Sequence, residues 1–130
     1  MKKFVYFLSS WLPPLILMGI IFYLSSSSRP SLTNVATYDW GFYKIVHFCA
    51  YATIYAAFFR AFYRTENHDL TNVFVFSLMA TVLFAASDEL HQTYVPGRDG
   101  NPIDVGIDTL GASFVYFFIK GNFEKIKKFL

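Results

Sequence analysis

Asp88, Glu89, His91, Gln92 and Arg98 bring two carboxylates, an imidazole, an amide and a guanidinium together in a chain otherwise dominated by apolar residues. In a helix, Asp88, His91 and Gln92 stand at i, i+3 and i+4 and share one face, while Glu89 points about a quarter turn away. Such a face can move protons. His91 or Glu89 would be the general base and Asp88 would orient the histidine, while Arg98 with Lys44 would hold an anionic group such as a lipid phosphate. Without a chemical step, the same groups form a binding site. Pro96 and Gly97 end this helix in a rigid turn, which aims the Arg98 fork at the acids or at an anion.

Two further groups belong with this run. Asn101 can cap a helix whose first residue is Pro102, and Asp104 then lies at its third position near the positive dipole end. That is a structural explanation for Asp104 beside the functional one. Asp108 lies one turn deeper, where no cap accounts for it and a carboxylate facing lipid would be costly. Lys44, His47 and Tyr51 fall on one face of another helix at i, i+3 and i+7. His47 alone reads as an interior histidine, but Lys44 a turn earlier and carboxylates at the same depth point to a site. The binding residues expected are therefore Lys44, His47, Gln92, Arg98, Asp104 and Asp108, with Asp88, Glu89 and His91 as the catalytic candidates. His68 has no role.

The elements that position these groups are membrane spans. The chain has 130 residues with 55% hydrophobic, 21% aromatic and 15% charged content, which suits membrane residence better than a soluble domain of this size. The net charge of +2 is too small and scattered for nucleic acid, which is excluded as a partner. Lone Cys49 offers no disulfide or paired-thiol site and is assigned to packing. Met1, Lys2 and Lys3 ahead of an apolar run resemble a signal peptide, but no small-residue cleavage pattern follows, and the run is read as a retained first span.

Four spans are expected, at about 4–24, 42–63, 70–92 and 103–120, each near the roughly 20 residues that cross a hydrocarbon core. Pro13 and Pro14 predict a kink or local unwinding in the first. Tyr38, Trp40 and Tyr43 read as an interfacial belt before the second, Asn67 or Asp69 as the cap of the third, and Lys120 to Lys128 as a basic tail. Lys2, Lys3, Arg60, Arg64, Lys120, Lys125, Lys127 and Lys128 fall on one side, leaving Arg29, Lys44 and Arg98 on the other. The spans predict an all-α bundle of four transmembrane helices in a single domain, and the positive-inside rule makes the N-terminus and C-terminus cytoplasmic and puts the polar residues at the outer leaflet.

There Asp88, Glu89, Asp104 and Asp108 would lie within about one helix diameter of each other, too close for all to stay ionised unaided. Arg98 and Lys44 are the first remedy. A retained proton, or a divalent cation with His47 or His91 as an added ligand, is the alternative. No spacing here is a recognised ligand signature, so no metal and no cofactor is assigned.

These residues resemble the VanZ-like membrane proteins, a family associated with low-level resistance to the glycopeptide teicoplanin. The resemblance is carried by the stretch from Lys44 through His47 to Tyr51, by Asp88 to Gln92 with Pro96, Gly97 and Arg98, and by Asp104 with Asp108 to Ala112. The serine run before Arg29 and Pro30 also matches the family's first outer loop. Val115 stands where the family often has a glycine, so close helix packing is not implied at that turn. The resemblance implies a multi-pass protein of the bacterial plasma membrane and cell envelope, without implying a reaction.

The expected function is to bind or modify a lipid-linked or surface molecule at an outer-face polar pocket. Membrane lipids and a lipid-linked cell-wall precursor or glycopeptide are the partners. A membrane enzyme acting on such a precursor by acid/base chemistry is the second reading. A small transporter or channel ranks last, because the inner halves of the spans offer only Ser77, Thr81, Ser113 and a few tyrosines.

Overall fold

The computed structural model describes residues 2–28, 30–65 and 69–130; the readings for Arg29, Asn67 and His68 lie outside these. It consists of α1 (Lys2–Ser25), α2 (Ala36–Thr65), α3 (Leu70–Gln92) and α4 (Pro102–Ile126), followed by a short 3-10 turn. All four helices are long and apolar enough to cross a membrane. Among the described residues there is no strand.

Local chemistry sets the helix ends, and it moves several of them from the expected positions. α1 is helical through Pro13 and Pro14, so the chain is not unwound there. α2 begins at Ala36, not near residue 42, because the preceding loop folds over its first turn. The Asp39 carboxylate accepts hydrogen bonds from Thr33 Oγ1 at 2.7 Å, Ser31 Oγ at 3.0 Å and Leu32 N at 3.0 Å, at the end of the helix where negative charge is favoured. Tyr38, Trp40 and Tyr43 therefore lie on α2 itself. Asp69 holds the N-cap position of α3 through its backbone, with no capping bond from its side chain.

α4 starts as expected, with Pro102 in the first turn and Asn101 Oδ1 accepting from Ile103 N at 2.9 Å. It then runs past residue 120 to Ile126, broken only by non-helical dihedrals at Asn122. The extension persists because Phe123 and Ile126 still pack against the apolar core.

α2, α3 and α4 all pack on one another, whereas α1 packs on α2 and, less extensively, on α3. One core cluster joins Tyr55 and Phe59 of α2 to Val73 and Phe74 of α3 and Ala112 and Ile119 of α4. The other joins Tyr51, Ile54 and Phe58 to Phe84 and Ala85, with Trp11, Leu17, Met18 and Ile21 of α1 packed against it. Gly111 makes the α2–α4 crossing close: a Cβ there would stand 2.3 Å from the Phe48 carbonyl oxygen. One turn on, Val115 packs half-buried against the first cluster, filling space where a glycine would allow tighter approach.

The outward faces carry Leu83, Leu110, Phe114 and Phe117, each more than half exposed, as helices in contact with lipid require. Cys49 is also exposed, which corrects the expectation that it packs inside.

Candidate functional site

Nearly all the expected site residues meet at one end of the bundle, where α1 and α3 finish and α2 and α4 begin. Asp88, Glu89, Gln92, Asp104 and Asp108 are buried, and Lys44 and His47 are nearly so. The reason is the period of each helix. Asp88 and Gln92 are one turn apart on α3, Asp104 and Asp108 one turn apart on α4, and Lys44 and His47 nearly one turn apart on α2, each pair turned inward.

Asp88 receives Ser25 Oγ of α1 at 2.6 Å, Gln92 Nε2 at 3.0 Å and Tyr51 OH at 3.3 Å. Three helices are thereby tied to one carboxylate. Glu89 accepts from Gln92 Nε2 at 3.2 Å and from the backbone N–H of Asn101 at 2.8 Å, so it fixes the start of α4 against the end of α3. Gly100 makes this possible, since a Cβ there would stand 2.3 Å from the Glu89 carbonyl oxygen.

On the other flank, Lys44 forms an ion pair with Asp104. His47 Nδ1 lies 3.1 Å from Asp108 Oδ1 and 4.0 Å from Glu89 Oε1. One imidazole thus stands between two buried carboxylates from different helices. Asp108 Oδ2 is buried with no hydrogen-bond partner, an arrangement that is costly inside a protein. Asp104 therefore does more than sit near a helix end: it is a buried partner of Lys44.

The histidine-carboxylate pairing differs from the one expected. His91 does not join Asp88. Its ring stacks on Phe22 with centroids 4.2 Å apart, and its Nε2 lies 3.1 Å from Ser26 Oγ. Position i+3 carries His91 around toward the end of α1, while i+4 carries Gln92 inward. The imidazole held by a buried carboxylate is His47. Arg98 also finds partners not anticipated: Nε donates to the Ser27 carbonyl at 2.7 Å, one terminal nitrogen to the Leu24 carbonyl at 2.6 Å, and the other to Gln92 Oε1 at 3.3 Å. The fork caps the carbonyl end of α1, where cations are favoured, and links it to α3. Gly97, at φ 78°, turns the chain for this, with Ser28 Oγ donating to the Pro96 carbonyl at 2.8 Å.

Sequence reasoning missed Ser25 and Ser26 as members of the site. Their signal was present in the serine run that closes the first span, but only the docking of α1 shows which hydroxyl meets which acid.

Beside this cluster lies a cavity of about 400 Å³ between α1, α2 and the loop that joins them. Its walls are apolar, with Ile21 and Leu24 on one side and Phe42, Val46 and Ala50 on the other. Its polar lining includes Ser25, His47, Tyr51, Asp88, Gln92 and Arg98. An apolar wall with a few convergent polar groups is the usual form of a small-molecule site.

Four membrane-crossing helices with inward-facing ionisable residues at one end define a multi-pass membrane protein. The family model described as VanZ/LLP1 matches residues 8–124, and the chain belongs to that family. No curated protein and no solved structure matches it.

Proposed function

We propose that the protein binds a lipid-linked molecule of the bacterial cell envelope in the cavity between α1 and α2. The reading rests on the shape and lining of that cavity. Its apolar walls suit an acyl or prenyl chain, and its polar end offers His47, Asp88 and Gln92 to a head group. The family name links such proteins to teicoplanin resistance, and a ligand from the cell-wall precursor pathway fits that link. The positive-inside distribution supports an orientation with both termini cytoplasmic and the cavity at the outer leaflet.

Lipid extraction and native mass spectrometry of the purified protein test the binding. A discrete lipid-linked species is expected with the wild type and absent from Ala50→Trp, whose indole fills the cavity. Bulk phospholipid alone, equally retained by both, contradicts the reading. Orientation is tested with single cysteines in a Cys49→Ser background. An impermeant thiol reagent should label Asp99→Cys in intact cells and Asp69→Cys only after permeabilisation; the reverse pattern places the cavity at the cytoplasmic face.

A catalytic reading has one observation in its favour, the His47–Asp108 pair. A carboxylate at Nδ1 fixes the tautomer and leaves Nε2 as the base. The transporter reading is disfavoured by Ser77 and Thr81 in the apolar half. Ser77 donates to the Val73 carbonyl at 2.6 Å and Thr81 to the Ser77 carbonyl at 2.8 Å, so both are satisfied within their own helix and mark no path.

A further inference from the structure

We propose that His47, Glu89 and Asp104 form a binding site for a divalent first-row metal cation at the polar end of the bundle. Each residue comes from a different helix. Each offers one donor atom, and these atoms all lie within 4.8 Å of one another. Two ligands on one cation with bonds of about 2.0–2.2 Å are at most about 4.4 Å apart, so a small side-chain rotation closes the set. The cluster is not a solvated acidic surface. Glu89 is 4% and Asp104 1% exposed, and inside a membrane protein buried carboxylates require compensation.

Asp108 supplies a second, separate observation. It is fully buried, its Oδ2 has no partner, and its Oδ1 lies 3.1 Å from His47 Nδ1. With Asp108 on Nδ1, Nε2 is the nitrogen left to a metal, and a carboxylate on the other ring nitrogen of a metal-ligating histidine is the usual orienting partner in such sites. The Lys44–Asp104 ion pair is compatible with a cation, because a carboxylate has two oxygens and about four lone-pair positions. The ammonium holds Asp104 in place through Oδ1. One imidazole nitrogen with carboxylate oxygens is a donor set that suits Mn²⁺ or Zn²⁺ and not the soft Cu⁺. Because His47 also lines the cavity, a bound cation would put positive charge beside the head group of a ligand.

The test uses the full chain in detergent, stripped with a chelator and titrated with Mn²⁺ while free ion is followed by electron paramagnetic resonance. One bound Mn²⁺ per chain is expected. Pulsed spectra of the wild type should carry a ¹⁴N coupling from a ligating imidazole, which His91→Ala retains and His47→Gln loses. Glu89→Gln should weaken binding about tenfold or more, and Asp108→Asn about 10- to 100-fold, as for an orienting partner. Binding without ¹⁴N coupling, or no stoichiometric binding by the wild type, overturns the proposal. Those two results need no variant, so a variant that does not fold leaves the test intact. The readout is the metal alone and does not depend on the cavity ligand, so its failure is distinct from failure of the cavity reading.

Discussion

The two ends of the bundle bury side chains of opposite character by different means. In the half built around Tyr55, Phe59 and Phe74, rings pack on rings, with the Phe59 and Phe74 centroids 4.7 Å apart and Phe74 and Tyr116 5.0 Å apart. The Ser77 and Thr81 hydroxyls there fold back on their own helix, and the Tyr55 hydroxyl is buried without a hydrogen-bond partner. At the other end the hydrogen bonds run between helices, from Ser25 and Tyr51 to Asp88 and from Lys44 to Asp104. In lipid, apolar surface gives helices little reason to associate, so the aromatic half holds by close fit. The polar half holds by partners that exist in one arrangement only. That difference assigns stability mainly to the first and specificity of helix pairing to the second, where the proposed function also lies.

The largest effect is expected where the two regions share a helix crossing. Gly111→Leu drives a side chain into the Phe48 carbonyl and should leave no folded protein in detergent, whereas Gly106→Ala, with nothing within 4 Å, should melt as the wild type does. Equal behaviour of the two would show that the α2–α4 contact does not hold the bundle together.

Within the aromatic half, Phe59→Ala should cost about 3–5 kcal/mol, as for a fully buried ring, read from a chemical or thermal melt. Asp88→Asn keeps the shape of its site and should cost only about 1–2 kcal/mol, yet lose the cavity ligand. A larger stability loss for Asp88→Asn than for Phe59→Ala would reverse the assignment of the two ends.

Arg98→Lys should cost about 1–2 kcal/mol, because one ammonium cannot reach both α1 carbonyls and Gln92 as the planar fork does. Protection of the end of α1 in hydrogen exchange should fall with it. Full protection in the variant would mean that α1 is docked by packing alone.

The smallest effect is expected of His91→Ala, with His47→Ala as its contrast. His47→Ala should abolish ligand retention, and His91→Ala should reduce it by less than half, because His91 faces Phe22 and Ser26 and does not line the cavity. If His91→Ala removes the ligand as completely, the reactive or binding imidazole is not the one held by Asp108.

Much of this was legible in the chain itself. Uninterrupted apolar runs specify membrane-crossing helices because a spanning backbone must satisfy its own hydrogen bonds, and the four spans followed from that alone. Helical period put Lys44 with His47 and Asp104 with Asp108, since side chains one turn apart must share a face. Asn101 and Pro102 marked the start of α4 by their own backbone chemistry. What the sequence could not determine was every choice between helices. Asp88, His91 and Gln92 share a face within one helix, but only the docking of α1 sends His91 to Phe22 and leaves Asp88 to Ser25, Tyr51 and Gln92. His47 likewise had carboxylates at its depth on two other helices, and the close α2–α4 crossing at Gly111 brings Asp108 to within 3.1 Å of its ring. Periodicity is a property of one helix, whereas partnership depends on the rotation and separation of two, which packing alone decides.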